Sequence, residues 1–100
     1  MKNKILGYLG LAARGRFLLF GEEQWERVKK GMVCFLANDA KEETQHRVFK
    51  QASKVGVSVL TSFSKEELSS VTSKSNVVVL IVTNYSLARQ IQKILDMKGE

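Results

Sequence analysis

Residues 77–82 read Val-Val-Val-Leu-Ile-Val, six consecutive β-branched or leucine side chains with no polar alternation. Such a run suits a central strand covered on both faces, because neither set of alternating side chains can be left in water. Val33 to Ala37 has the same character. Two strands of this kind need a layer above and a layer below, and the rest of the chain supplies amphipathic helices alternating with strands. Ile5, Leu6, Leu9, Ala12 and Ala13 recur at helical spacing over residues 3–13, and Arg14-Gly15-Arg16 stops them. Phe17 to Phe20 read as a short strand and Glu22 to Lys30 as a helix, with Trp25 and Val28 turned toward the core. Asp39 with Glu42 forms a capping box, after which Thr44, Val48, Ala52 and Val55 line one face of a helix that Gly56 ends. Val57 to Leu60 make a strand, and Ser64 with Glu67 opens a short helix through about residue 71. Leu87, Ala88, Ile91, Ile94 and Leu95 mark a last helix. The expectation is an α/β fold, a three-layer α-β-α sandwich on one four-stranded mixed sheet, with residues 1–100 forming a single domain.

Proline is absent and no segment has the composition of a linker, a repeat or a low-complexity tract. Sixteen Lys and Arg against ten Asp and Glu give a formal charge of +6, which points to a polyanionic partner, nucleic acid first. The plainer reading of that surplus is solubility. Cys34, the only cysteine, excludes an intrachain disulfide and reads as a small buried hydrophobe. Lys2 and Lys4 followed by Ile5 to Ala13 imitate a signal peptide, but Gly7 and Gly10 interrupt the apolar stretch, and its loss would strip the sheet of a helix. No stretch is long enough to span a bilayer, so a cytoplasmic location is expected.

The junction at Gly21 is where function is expected. A glycine between a strand and a helix start lets a partner's backbone come close, and the first helical turn offers unpaired N–H groups. Gln24 and Arg27, three residues apart, project from one polar edge of that helix, where an amide and a guanidinium can bond base edges and phosphate. Arg14, Arg16, Lys29 and Lys30 would add electrostatic support, although for any one of them a solvated surface charge is the ordinary role.

Four segments together resemble a known family: Leu-Gly-Leu-Ala-Ala-Arg-Gly-Arg at 9–16, Gly-Glu-Glu-Gln at 21–24, Leu-Ala-Asn-Asp-Ala at 36–40 and Ser-Lys-Glu-Glu-Leu at 64–68. The chain is similar, from about residue 4 to residue 95, to the seven-Ae family of large-subunit ribosomal proteins and its small bacterial YlxQ-type branch. The resemblance implies a compact α-β-α sandwich that binds kink-turns, sharp RNA bends built on tandem sheared G·A pairs, without catalysis or cofactor. It implies RNA contact through Gly21 and the residues two, three and six positions beyond it, Glu23, Gln24 and Arg27. It places a second contact at Thr61, Ser62 and Phe63, with Asn38 and Asp39 bordering the same surface. The chain departs from the family pattern in carrying a carboxylate at Glu23, in a shorter second helix, and in Ser73 where a glycine usually precedes the lysine. A carboxylate near phosphate is repulsive unless Arg27, one turn along, neutralises it.

Each candidate also has a structural role to weigh. Asn38 and Asp39 serve first as helix caps, and Phe63 either stacks on an unpaired base or packs under the short helix. His46 reads as a surface histidine on a polar helix. No glycine-rich phosphate loop, metal-ligand cluster or nucleophile with a spaced histidine is present in the sequence, so neither an enzyme, a metal site nor a small-molecule substrate is expected. The reading is a cytoplasmic RNA-binding module for structured RNA of the kink-turn type, associated with the ribosome or another ribonucleoprotein, its RNA in the first case being ribosomal. The alternative is a protein-interaction adaptor on the same fold, since unrelated functions share architectures.

Overall fold

Val33–Leu36 (β2) and Val79–Val82 (β4) are buried along their whole length and lie side by side at the centre of a four-stranded sheet. This computed structural model describes residues 2–98. The order is β1-β4-β2-β3, with Leu18–Phe20 (β1) and Ser58–Leu60 (β3) at the two edges. β4 runs antiparallel to both β1 and β2, and only β2 and β3 are parallel, so the sheet is mixed.

Strand alternation sorts the apolar side chains into two cores. Val33, Phe35, Leu80 and Val82 face helices Lys2–Arg14 (α1), Lys65–Thr72 (α3) and Tyr85–Lys98 (α4), through Ile5, Leu9, Leu68, Ala88 and Ile91. Cys34, Leu36, Val79 and Ile81 face the other way, toward Val48 of helix Glu42–Val55 (α2) and the partly buried Trp25. The expected three layers are present. Burial pushes the Cys34 thiol up to about 12, because a thiolate has no solvation in that core.

The caps follow the sequence with one exception. Gly56 takes the left-handed conformation that closes α2, and Ser64 and Glu67 form a reciprocal capping box at α3. Asn84 accepts the Leu87 N–H through its Oδ1 at 3.0 Å and so opens α4. The exception is Asp39. The cap position of α2 is Lys41, and no side chain bonds the first turn. Val77 lies just outside its strand because its N–H is taken by the Ser69 hydroxyl at 2.9 Å.

The segment after β1 also differs from expectation. Residues 22–27 form a 3₁₀ helix rather than an α-helix reaching Lys30, and Val28 is extended. At a rise of about 2 Å per residue, six residues of 3₁₀ helix cover the length of a four-residue strand. The chain thereby returns from the Val79 end of the sheet, where the Gly21 N–H donates to the Val79 carbonyl, to the Val82 end, where β2 begins opposite. Val28 and Met32 are then free to enter the core.

Candidate nucleic-acid interface

Three residues per turn make the 3₁₀ helix sort its side chains into columns. Glu22, Trp25 and Val28 form the inward column, with Trp25 half-buried and Val28 buried. Gln24 and Arg27 eclipse one another in a second column, and Glu23 and Glu26 stand exposed in the third. The polar edge inferred for Gln24 and Arg27 is therefore present and tighter than on an α-helix. The same geometry removes the neutralising role expected of Arg27. A residue four positions along a 3₁₀ helix sits about 120° round the axis, and Glu23 and Arg27 make no ion pair among the described residues.

Gly21 has φ 93° and ψ 164°, a region open in practice only to glycine. A Cβ there would collide with the Glu23 carboxylate, which folds back over the glycine. Glu22 points toward α2, where Arg47 donates to its Oε1 from Nε at 2.9 Å and to its Oε2 from Nη2 at 3.1 Å. These bonds hold the Glu22 carboxyl below the usual carboxylate range, with desolvation opposing them. A lowered carboxyl contributes stability above its unfolded value and loses it as pH falls through the folded one. Glu22→Gln is therefore expected to lower the denaturant midpoint slightly at neutral pH, since the Arg47 side chain is 57% exposed and solvent screens the pair. In acid well below the ordinary glutamate value of about 4.3 the two curves should coincide. A gap that persists in acid would assign the loss to packing instead.

Beside Gly21 lies a cleft of about 360 Å³, walled by Phe20 and Glu22 on one side and by Lys74, Ser75 and Asn76 on the other. The Lys74 ammonium sits 5.0 Å from the Phe20 ring centroid, a cation–π contact. Lys74 to Asn76 form the loop between α3 and β4, and sequence reasoning gave this loop no role. The available signal was its polar run, Ser-Lys-Ser-Asn, placed directly before a central strand. Ser73 adopts φ 57°, so it takes up the left-handed turn for which the related pattern uses glycine.

The other expected residues divide. Asn38 and Asp39 follow β2 at the same end of the sheet, and both are exposed. Asp39 is a cap, but of another helix: its Oδ1 accepts the Lys65 N–H at 3.0 Å, at the start of α3. The Asn38 N–H donates to the Phe63 carbonyl at 2.9 Å, so the two loops are tied together. Asp39 also lines a second cleft with Ser69 and the Lys74–Asn76 loop. Thr61 is exposed and Ser62 half-buried beyond β3, at the edge opposite β1. Three strand spacings, roughly 14 Å, separate that edge from Gly21.

Phe63 is a correction. It is 1% exposed, and its ring packs against Phe35 with centroids 5.9 Å apart, so it is core and offers no face to a base. A loop residue directed under α3 is shielded by the helix it precedes. Arg14, Arg16, Lys29 and Lys30 are all exposed, and the strand register puts their backbone at the far end of the sheet from Gly21, although Arg16 lines a further cleft along β1 with Phe20 and Lys74. None of the four lines the cleft at Gly21 itself.

Against known proteins, the chain is 31% identical over 98 residues to the RNA-binding protein YlxQ of Enterococcus faecium, a match spanning 95% of this chain and 94% of that one. Its fold is similar to the solved structure of a protein of unknown function from Bacillus halodurans, with a TM-score of 0.83 and 27% identity over 93% of this chain and 97% of the other. No protein-family model matches the chain.

Proposed function

The chain belongs to the YlxQ-type family, and from that premise we propose that it is an RNA-binding protein that grips a kink-turn at the Gly21 end of its sheet. The observation that carries the reading is the eclipsed Gln24–Arg27 column that follows a glycine turn, the turn itself lining an open cleft with Lys74. The Arg27 side chain makes no hydrogen bond or ion pair among the described residues, so its five N–H donors are available for phosphate or base edges. Lys74 and Asn76 add a charge and an amide to the cleft that Gly21 lines. Thr61, Ser62, Asn38 and Asp39 border the surface as outer contacts. The proposed chemistry is recognition alone, by one cytoplasmic domain working on the ribosome or another ribonucleoprotein.

Calorimetric titration against one kink-turn RNA and its G·A-disrupted mutant tests this. Arg27→Ala should cost about 1–3 kcal/mol of binding, the range for a lost charge-assisted contact. Gln24→Ala should weaken the kink-turn more than the disrupted RNA, since only the bend presents guanine edges to that side chain. Glu23→Gln should tighten binding, because no cation in the 3₁₀ helix neutralises that carboxylate. Equal binding of both RNAs by every variant would defeat the kink-turn reading and leave a protein-interaction adaptor in its place.

A further inference from the structure

The charge of the molecule is not where the Gly21 cleft is. Around Gly21, around Asp39 and between Thr61 and Glu67 there is no surplus of cations: Glu22, Glu23, Asp39, Glu66 and Glu67 stand against Lys41, Lys65 and Lys74, with Arg47 bonded to Glu22. The opposite end of the sheet is built from residues 14–17, 28–32 and 83–86, and these segments contain no Asp or Glu, although the 3₁₀ helix brings Glu26 and Arg27 to their border. They carry Arg14, Arg16, Lys29 and Lys30, all exposed.

Strand pairing brings these segments together. The Thr83 N–H donates to the Phe17 carbonyl at 2.8 Å, and Val82 lies opposite Leu18 on one side and Val33 on the other. β1 and β2 are two strand spacings apart, about 10 Å. That is about one Debye length at 0.1 M salt, so the four cations act as one patch. None of the four side chains makes an ion pair or a hydrogen bond among the described residues. Two exposed aromatic side chains accompany them: Phe17 is 39% exposed and Tyr85 54% exposed, the latter lying over Gly31.

We infer that this basic end is a second RNA-contacting face, which takes the sugar-phosphate backbone of a helical stem distinct from the segment held at Gly21. Clustered lysine and arginine match a polyanion, whereas protein interfaces are depleted of lysine and of charge at their core. The face reads no sequence. It supplies the salt-dependent share of affinity, and the carboxylate-rich Gly21 end supplies the discrimination.

The test uses the whole chain and a straight RNA duplex of about 16 base pairs, a span of two successive minor grooves. The wild type should bind this duplex at low salt with a steep log–log salt dependence. The triple variant Arg14→Gln/Lys29→Gln/Lys30→Gln changes exposed side chains only. It should lose tenfold or more in duplex affinity at low salt, and its salt slope should flatten by about three, one per phosphate contact. Lys41→Gln, which removes an exposed cation from the Gly21 end of the sheet, should leave duplex binding within about twofold. Unchanged affinity and slope in the triple variant would overturn the inference. So would an equal loss of duplex binding in the Lys41 variant, or a wild type that ignores duplex at low salt, which would turn the basic end over to an acidic protein. The kink-turn titrations are a separate measurement, so either face can fail alone.

Discussion

Phe63→Ala is expected to lower folding stability by about 3–5 kcal/mol, the range for removing a fully buried phenylalanine. The ring is 1% exposed and tilted 41° against Phe35, in the core that α1, α3 and α4 close over the sheet. A domain of this size has about 5–15 kcal/mol in all, so the variant should sit near the edge of folding. Phe63→Leu keeps most of the volume and should fold, and it separates packing from recognition. RNA affinity of the folded leucine variant should match the wild type. A stacking role would instead cost it about 1–3 kcal/mol of binding with little effect on the denaturation midpoint.

Gly21→Ala should cost about 1–3 kcal/mol of stability, because φ 93° with ψ 164° is a conformation that a side chain pays to adopt. Two obstacles meet at this residue, and they differ in kind. The Glu23 carboxylate that a Cβ would strike is the end of a flexible side chain and can swing away. The backbone cannot relax as cheaply, since the Gly21 N–H is bonded to the Val79 carbonyl and the 3₁₀ helix starts at the next residue. The double variant Gly21→Ala/Glu23→Gln should therefore stay as destabilised as the single one in chemical denaturation. RNA affinity should fall with it, because a side chain is added to the glycine that lines the cleft. A Gly21→Ala protein as stable as the wild type would show that the turn is not strained.

The two central strands were legible because an unbroken apolar run has no other home than the middle of a covered sheet, and β2 and β4 lie there. The columns of the 3₁₀ helix were only half legible. Both helix types place Gln24 and Arg27 on one side, and they part at the fourth residue, where Glu23 loses Arg27. Asp39 was assigned to the wrong helix because a capping box is a local pattern, while the N–H it accepts belongs to Lys65, 26 residues away. Phe63 was ambiguous for the same reason, since its partner Phe35 lies on another strand. Net charge is readable from composition, but its location is not. Only the register showed that Arg14, Arg16, Lys29 and Lys30 gather at the end away from Gly21.

The threading of β4 between β1 and β2 sets a schedule for the chain as it is made. Leu18 pairs with Val82, and β1 has no other neighbour in the sheet. While residues emerge in order from the N-terminus, β2, α2 and β3 can assemble as a local parallel unit, but β1 must wait through the synthesis of everything up to residue 82. The turn at Gly21 is pinned by Val79 and waits with it. A ligand that docks at that turn therefore meets only chains translated past β4, and an elongating chain is silent toward it.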